Sequence, residues 1–392
     1  MGAETARDFE ELEAQAHDVM GVFTRAGYQA VAPAIIQPAD VYLDVIGEAL
    51  RSRTYVFTDP EGEELCLRPD LTVPTCRLHV ERVTNGDTSG RYCYNGAAFR
   101  FQPTGATAAH PREFRQAGIE SIGDRDAEQA EADSLALIVE ALGKSGLNGW
   151  QLRFGDLGLF RAVLDSAEMP NRWRNRLMHH FWRPDAFRAE LKRLTKAPAD
   201  KSASLPDELV KVLSTAKPDD VQEIIERYLN TNEIELIGAR SITEIKQNLL
   251  NIIADANAEP ISEKTATLIE SYIEVAAPAR AAGARLKDLT RDQGIDIGDA
   301  LDAYHRRLQL LSEVGVNMTN AAFSAEFGRT LEYYSGFVFE IFAPDLGDQS
   351  PIAGGGRYDH LLKMCGASED IPALGAAIHT ERLLSIAKSD KS

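Results

Sequence analysis

Apolar residues recur at steps of three and four from Thr5 to about Ala26, at Phe9, Leu12, Ala16, Val19 and Phe23, which is the period of an amphipathic helix. Gly27 is placed to close it. The next run, Gly27 to Ile36 (GYQAVAPAII), is β-prone but contains Pro33, so an edge strand or a break is expected there. A second helical stretch is predicted from Val41 to Ala49. Two short β runs, Thr54 to Thr58 and Glu64 to Leu67, flank Asp59-Pro60-Glu61-Gly62 and read as a hairpin with good turn residues. A helix follows around Val73 to Val83, then strands at Arg91 to Arg100 and Phe114 to Ser121, joined by the loop Gln102 to Pro111. These two strands return without a crossover helix, so an antiparallel sheet is expected rather than a doubly wound one.

The acidic, alanine-rich stretch Ala127 to Leu142 predicts a strong helix, and Trp150 to Phe154 a short strand. From about Phe160 to Val316 the period is almost all helical, broken at Pro170, Pro184, Lys196 to Pro206 and Pro218, which reads as an inserted helical module. β character returns at Phe323 and alternates clearly over Phe337 to Phe342 (FVFEIF). A glycine turn is expected at Gly354 to Gly356, and a last segment, Gly375 to Ile386, that begins as loop and ends as helix. The expected division is an α+β core in two parts, 1–160 and 319–392, around a helical insertion at 161–318.

Composition narrows the function classes. Over 392 residues the chain is 44% hydrophobic and 26% charged, as in an ordinary globular protein. Its 42 Lys+Arg against 60 Asp+Glu leave a net charge of −18, which opposes a general nucleic-acid binder. The four cysteines form no C-x-x-C pair and have no histidines at zinc spacing, so no metal and no disulfide framework is expected. The acidic start lacks an apolar signal core, and no run reaches the ~18 apolar residues of a membrane span, so a cytoplasmic protein is expected.

Four clusters can carry chemistry. In Leu67-Arg68-Pro69-Asp70-Leu71-Thr72, Asp70 and Thr72 can grip an ammonium group, or they can cap the following helix. On a strand over 114–121, Phe114, Gln116, Gly118 and Glu120 share a face, giving an amide, a gap and a carboxylate; a small ligand could lie there, or the face could be polar and solvated. Gly328 to Gly336 and Gly354 to Asp359 bring tyrosines and arginines beside glycines, either as a polar-aromatic pocket or as core tyrosines and surface arginines. His179-His180 and His379 lack acidic or thiol partners at ligand spacing.

Together these clusters resemble, in order, the motifs of the class II aminoacyl-tRNA synthetase core, and within it the histidyl-tRNA synthetases. GYQAVAPAIIQPADVYLDVIGEAL is similar to the dimer-forming first motif, and LRPDLT to LRPEGT. YNGAAFRFQP with HPREFRQAGIESIG resembles the second motif, and GRTLEYYSGFVFE and AGGGRYDHL the histidine signatures. GAAIHTERLL resembles the third motif. The resemblance implies an antiparallel sheet flanked by helices and a histidine pocket. Asp70 and Thr72 would hold the α-ammonium with Gln116, Glu120 and Tyr358 would line the imidazole side, and Arg329 and Tyr334 would close the carboxylate and ring edges.

The adenylation half departs from the pattern. Gln102 stands where the synthetases carry an adenine-reading Glu, and His379 where they carry a Gly that lets ATP lie on the backbone; the ATP-motif arginines, Arg100 and Arg382, persist. Only ten residues follow Arg382, so the resemblance implies no anticodon-binding domain and no tRNA partner. A histidine pocket without these parts resembles the paralogous family of ATP phosphoribosyltransferase regulatory subunits. That likeness implies a non-catalytic, cofactor-free partner of a short-form catalytic subunit in histidine biosynthesis, with histidine as feedback effector and self-association through a class II-type dimer interface. The alternative is a histidine-activating synthetase paralogue that forms an adenylate for a non-tRNA acceptor.

Overall fold

The computed structural model describes residues 6–40, 42, 50–83, 89–107, 110–147, 149–196, 206–217, 220–232, 242–256, 258–327, 333–344 and 350–389. The chain divides into two compact units: one of residues 1–163 and 271–392, the other of residues 164–270.

Among the described residues twelve strands follow in chain order: β1 (Gln29–Ala30), β2 (Ile36–Pro38), β3 (Tyr55–Thr58), β4 (Glu64–Leu67), β5 (Gly90–Phe99), β6 (Glu113–Ile122), β7 (Gln151–Asp156), β8 (Ala276–Pro278), β9 (Ala321–Ser324), β10 (Phe337–Phe342), β11 (Ala353–Arg357) and β12 (Ala373–His379). Nine of them form one sheet in the order β1-β5-β6-β12-β11-β10-β7-β9-β8, and β2-β4-β3 form a small second sheet. The large sheet is mixed, because β1 pairs with β5 and β7 with β9 in parallel; its centre, from β5 to β7, is antiparallel as expected. The β3–β4 turn closes through Asp59, whose Oδ1 accepts from the main-chain N–H groups of Glu61 and Glu63, both at 2.9 Å, and Gly62 supplies the positive φ of 94°.

One face of the large sheet is covered by the helices Ala6–Arg25, Ala127–Lys144 and Thr380–Ser389. Arg115 and Arg357 point to this side: Arg115 Nη1 meets Glu13 at 2.6 Å and Arg357 Nε meets Glu131 at 2.6 Å. Val19, Phe23, Ile119, Leu135, Ile138 and Ile378 fill the layer between. Asp126 starts the helix Ala127–Lys144 by accepting from the Gln129 N–H at 3.3 Å. The opposite face is flanked by the helix Thr72–Arg82, whose His79 stands against Gly90 of β5.

Three expectations need correction. The triple glycine Gly354 to Gly356 is not a turn but most of β11, a strand in the middle of the sheet. A Cβ on Gly355 would collide with the Gly375 carbonyl, so only a side-chain-free strand fits there. The loop expected from Gly375 is likewise β12, its weak β propensity overridden by neighbours on both sides. The β-prone run at 27–36 does break around Pro33, as expected, into β1 and β2, which join different sheets. Finally, the expected insertion, 161–318, is shared between the units: 164–270 forms the second unit, and 271–318 belongs with the sheet. The helix expected at 41–49 lies outside the described residues apart from Tyr42.

The second unit is helical. Leu209, Leu213, Val221, Ile225 and Ile253 form its small core. Asp255 is its polar anchor, taking bonds from Arg172 Nε at 2.5 Å, Trp173 Nε1 at 2.6 Å and Arg176 Nη2 at 2.7 Å. No helix among the described residues is long and apolar enough to cross a membrane.

Candidate functional site

The strand period sets one row of side chains on the face opposite the three covering helices. Register places Tyr92, Tyr94 and Gly96 of β5 beside Glu120, Gly118 and Gln116 of β6, and these beside Gly375, Ala377 and His379 of β12. Gly356 and Gly354 of β11 continue the row. Six of these eleven positions are glycine or alanine, so the row is a floor from which the side chains of Tyr92, Tyr94, Gln116, Glu120 and His379 rise.

Glu120 is its centre and is fully buried. Tyr94 Oη donates to Oε1 at 2.9 Å and Tyr358 Oη donates to Oε2. Burial pushes the Glu120 carboxyl up to about 8, against the hydroxyls of Tyr358, Thr72 and Tyr94, which favour its ionised form; Asp70 raises it further. Gly375 makes this position possible, because a Cβ there would collide with Oε2 of Glu120. A carboxyl raised this far above its unfolded value favours the fold fully below pH ~4.3, and that contribution is lost as the pH rises through about 8. Glu120→Gln keeps a neutral group in place. The melting temperature of the parent should therefore fall more steeply than that of the variant between pH 5 and 9; thermal unfolding with equal slopes would refute the assignment.

Asp70 is 3% exposed, and its Oδ1 accepts from the Val73 N–H at 3.1 Å. It thus caps the helix Thr72–Arg82, and it also lies near Glu120, so the two readings of this residue are compatible. Gln116, Tyr334 and Tyr358 join the same face: Tyr334 lies over Gly356, and Tyr333 packs edge-on against Tyr358 with ring centroids 5.9 Å apart. Arg329 lies outside the described residues. The space over Gly118, expected to receive a ligand, is taken by the Tyr94 ring, whose Oη would stand 2.7 Å from a Cβ on that residue.

At the other end of the row the side chains satisfy one another. Phe114 packs against the Arg100 guanidinium, 5.1 Å from its centroid, and against the His379 ring at 5.3 Å. Arg100 Nε also donates to the Pro69 carbonyl at 2.8 Å, and Arg382 Nη1 to the Pro351 carbonyl at 2.7 Å. Gln102 is buried, with its oxygen accepting from Arg53 at 2.6 Å and its nitrogen donating to the Pro111 carbonyl at 3.0 Å. An adenine-reading group has to offer its hydrogen bonds outward, and one N–H and one lone pair of this amide are engaged inside the protein.

Two features escaped the sequence reading. One is Tyr94, which shares the Glu120 face only once the β5–β6 register is known. The other is a buried ionic network behind the site: Glu131 takes Arg307 Nε at 2.5 Å and Arg357 Nε at 2.6 Å, and Asp156 takes Arg307 Nη1 at 2.6 Å. Arg357 thus serves the far face and no pocket, and by holding the end of β11 it fixes the residue that follows, Tyr358.

The family model of the histidyl-tRNA synthetases matches residues 4–244 and 244–383. A protein of a Chelativorans species named ATP phosphoribosyltransferase regulatory subunit is 32% identical over 372 residues, covering 95% of this chain and 96% of the relative. The chain belongs to the ATP phosphoribosyltransferase regulatory subunit family. A second member of that family, from Mesorhizobium japonicum, is 33% identical over 94% of this chain and 96% of its own length. Among solved structures, an ATP phosphoribosyltransferase regulatory subunit/histidyl-tRNA synthetase from Bacillus halodurans covers 98% of this chain, and this chain covers 81% of it, at a TM-score of 0.67 and 20% identity. That likeness carries the fold: a class II synthetase-like α+β core.

Proposed function

We propose that this chain is the regulatory subunit of an ATP phosphoribosyltransferase, required by a short catalytic subunit for the first step of histidine biosynthesis and conferring feedback inhibition by histidine. The observation that carries this reading is the contrast along one sheet face. Asp70, Thr72, Glu120, Tyr334 and Tyr358 gather at one end, with Gln116 further along the same face, offering anionic, amide and aromatic groups suited to a zwitterion with an imidazole. Beyond Gln116, Gln102 is engaged by Arg53 and Pro111, and His379, paired with Gln116 across the sheet, packs on Phe114. The chain then performs no phosphoribosyl transfer; it biases the partner through histidine occupancy. The exposed apolar side chains Ile35, Ile36, Val56 and Phe57, on and beside the small sheet, support self-association there.

Co-purification with a short-form catalytic subunit, followed by an activity assay with and without histidine, tests the proposal. Activity should require this chain, and histidine should depress it by roughly 5- to 150-fold, the range of a ~1–3 kcal/mol coupling. Full activity of the catalytic subunit alone, or none with both, would refute it. The histidine-activating alternative rests on the retained Arg100 and Arg382. Histidine-dependent exchange of pyrophosphate into ATP would establish that alternative and displace the regulatory reading.

A further inference from the structure

Arg68 follows β4 and is 4% exposed, yet among the described residues no carboxylate forms an ion pair with it. Nε donates to the Ala97 carbonyl at 2.7 Å and Nη1 to the Pro33 carbonyl at 2.5 Å. Nη2 makes no hydrogen bond, and no carboxylate lies within 4.0 Å, among the described residues. Burial works against its charge, and Asp70 and the tyrosines Tyr42 and Tyr94 partly offset that. An arginine does not escape such a site by losing its proton. Buried guanidinium groups ordinarily meet a carboxylate, because desolvation is otherwise uncompensated.

The position of Nη2 says where that carboxylate belongs. Nη2 lies over Gly96 and would stand 2.5 Å from a Cβ on that residue. Gly96 is in register with Gln116, so Nη2 stands at the Gln116 end of the row that holds Gly118 and Glu120. A merely structural clamp on the Pro33 and Ala97 carbonyls uses Nε and Nη1 and leaves the third nitrogen unaccounted for. Asp70 lies two residues on, across Pro69, so an anion and a cation flank the same stretch of floor. An α-amino acid presents the complementary pair, ammonium and carboxylate, on one carbon.

We infer that Arg68 is a binding residue of this site, taking the α-carboxylate of an amino-acid ligand through Nη2 while Asp70 faces the α-ammonium. The inference rests on the amino-acid-binding reading above and assigns the site a cation besides Arg329. Arg68 then discriminates amino acids from the corresponding amines, and the Glu120 end discriminates among side chains.

Calorimetric titration of the full chain with histidine and with histamine, which lacks the carboxylate, provides the test. The parent should bind histidine at least about tenfold more tightly than histamine, as a buried charge-assisted bond requires. Arg68→Met should lower histidine affinity to near that of histamine and leave histamine binding within about twofold. Equal losses for both ligands, or none, would overturn the inference and leave Arg68 a clamp. Should the Met variant not fold, Arg68→Lys supplies the same ratio: without the planar fork, the preference for histidine should shrink at least about threefold, and an unchanged ratio overturns the inference. If the parent binds no histidine, alone or with a short catalytic subunit, the functional reading falls and takes Arg68 with it. A parent that binds histidine and variants that keep its preference over histamine isolate Arg68 as the error.

Discussion

Glu131→Gln should destabilise the protein by about 3–5 kcal/mol, the range seen when one partner is removed from a buried ionic pair. Glu131 is 2% exposed and divides its two oxygens between Arg307, 4% exposed, and Arg357, 6% exposed. Without it Arg307 keeps Asp156 and Arg357 keeps Asp359, so two buried cations share what remains of the negative charge. The magnitude follows from desolvation: water cannot reach either guanidinium to replace the lost carboxylate. Arg306, which bridges Asp126 and Glu128 in the open, is the natural control, and its replacement by alanine should be nearly neutral. Urea unfolding of both variants checks the pair. A Glu131→Gln loss below about 1 kcal/mol would show that the network is not the structural tie described above.

The second large effect concerns the proposed ligand. At neutral pH the Glu120 carboxyl, pushed up to about 8, holds a proton that the imidazole of dissolved histidine, near 6.5, mostly lacks. Joined, the two share one proton as a carboxylate–imidazolium pair. Between about pH 6.5 and 8 binding then exchanges no net proton with water; above that window it takes one up, and below it releases one. The dissociation constant should therefore be flat across the window and rise about tenfold per pH unit outside it. Glu120→Gln cannot form the pair, so affinity at pH 7 should fall roughly 10- to 150-fold, matching ~1.5–3 kcal/mol for a hydrogen bond to a charged group. Titrations from pH 5.5 to 9 in buffers of different ionisation enthalpy read both quantities. Affinity that rises steadily with pH, or is untouched by the amide, contradicts the shared-proton picture.

What the chain discloses before folding depends on the range of the interaction. Helices and strands with a clean local period, such as Ala127–Lys144 and β10, are legible because their burial pattern repeats within a few residues. The motif order also leads to the family, and it names Asp70, Thr72, Gln116, Glu120 and Tyr358, which the fold brings to one face of the sheet. The glycine strand β11 and the Gly-Ala start of β12 are illegible for the opposite reason. Their strand character comes from neighbours on both sides, and their composition alone reads as turn and loop. Tyr94 and the Glu131 network depend on register and on helix placement, which bring together residues far apart in sequence. Arg68 is visible in its motif, but only the carbonyls it holds, and the nitrogen left over, distinguish it from an ordinary surface charge.

The strand order has a further consequence, for how the molecule comes into being. Between β6 and β7, which follow one another in the chain, the sheet interposes β12, β11 and β10, and the Tyr358–Glu120 bond joins residues 238 positions apart. During synthesis the first half of the site therefore waits, its central strand edge unpaired, while the helical unit at 164–270 is made and has time to fold by itself. Contacts this distant in sequence close slowly. A ribosome stalled before residue 373, or a chain cut there, would leave β6 exposed as a sticky edge, so chaperone dependence and aggregation should track the last strand to arrive rather than the length of the insertion between.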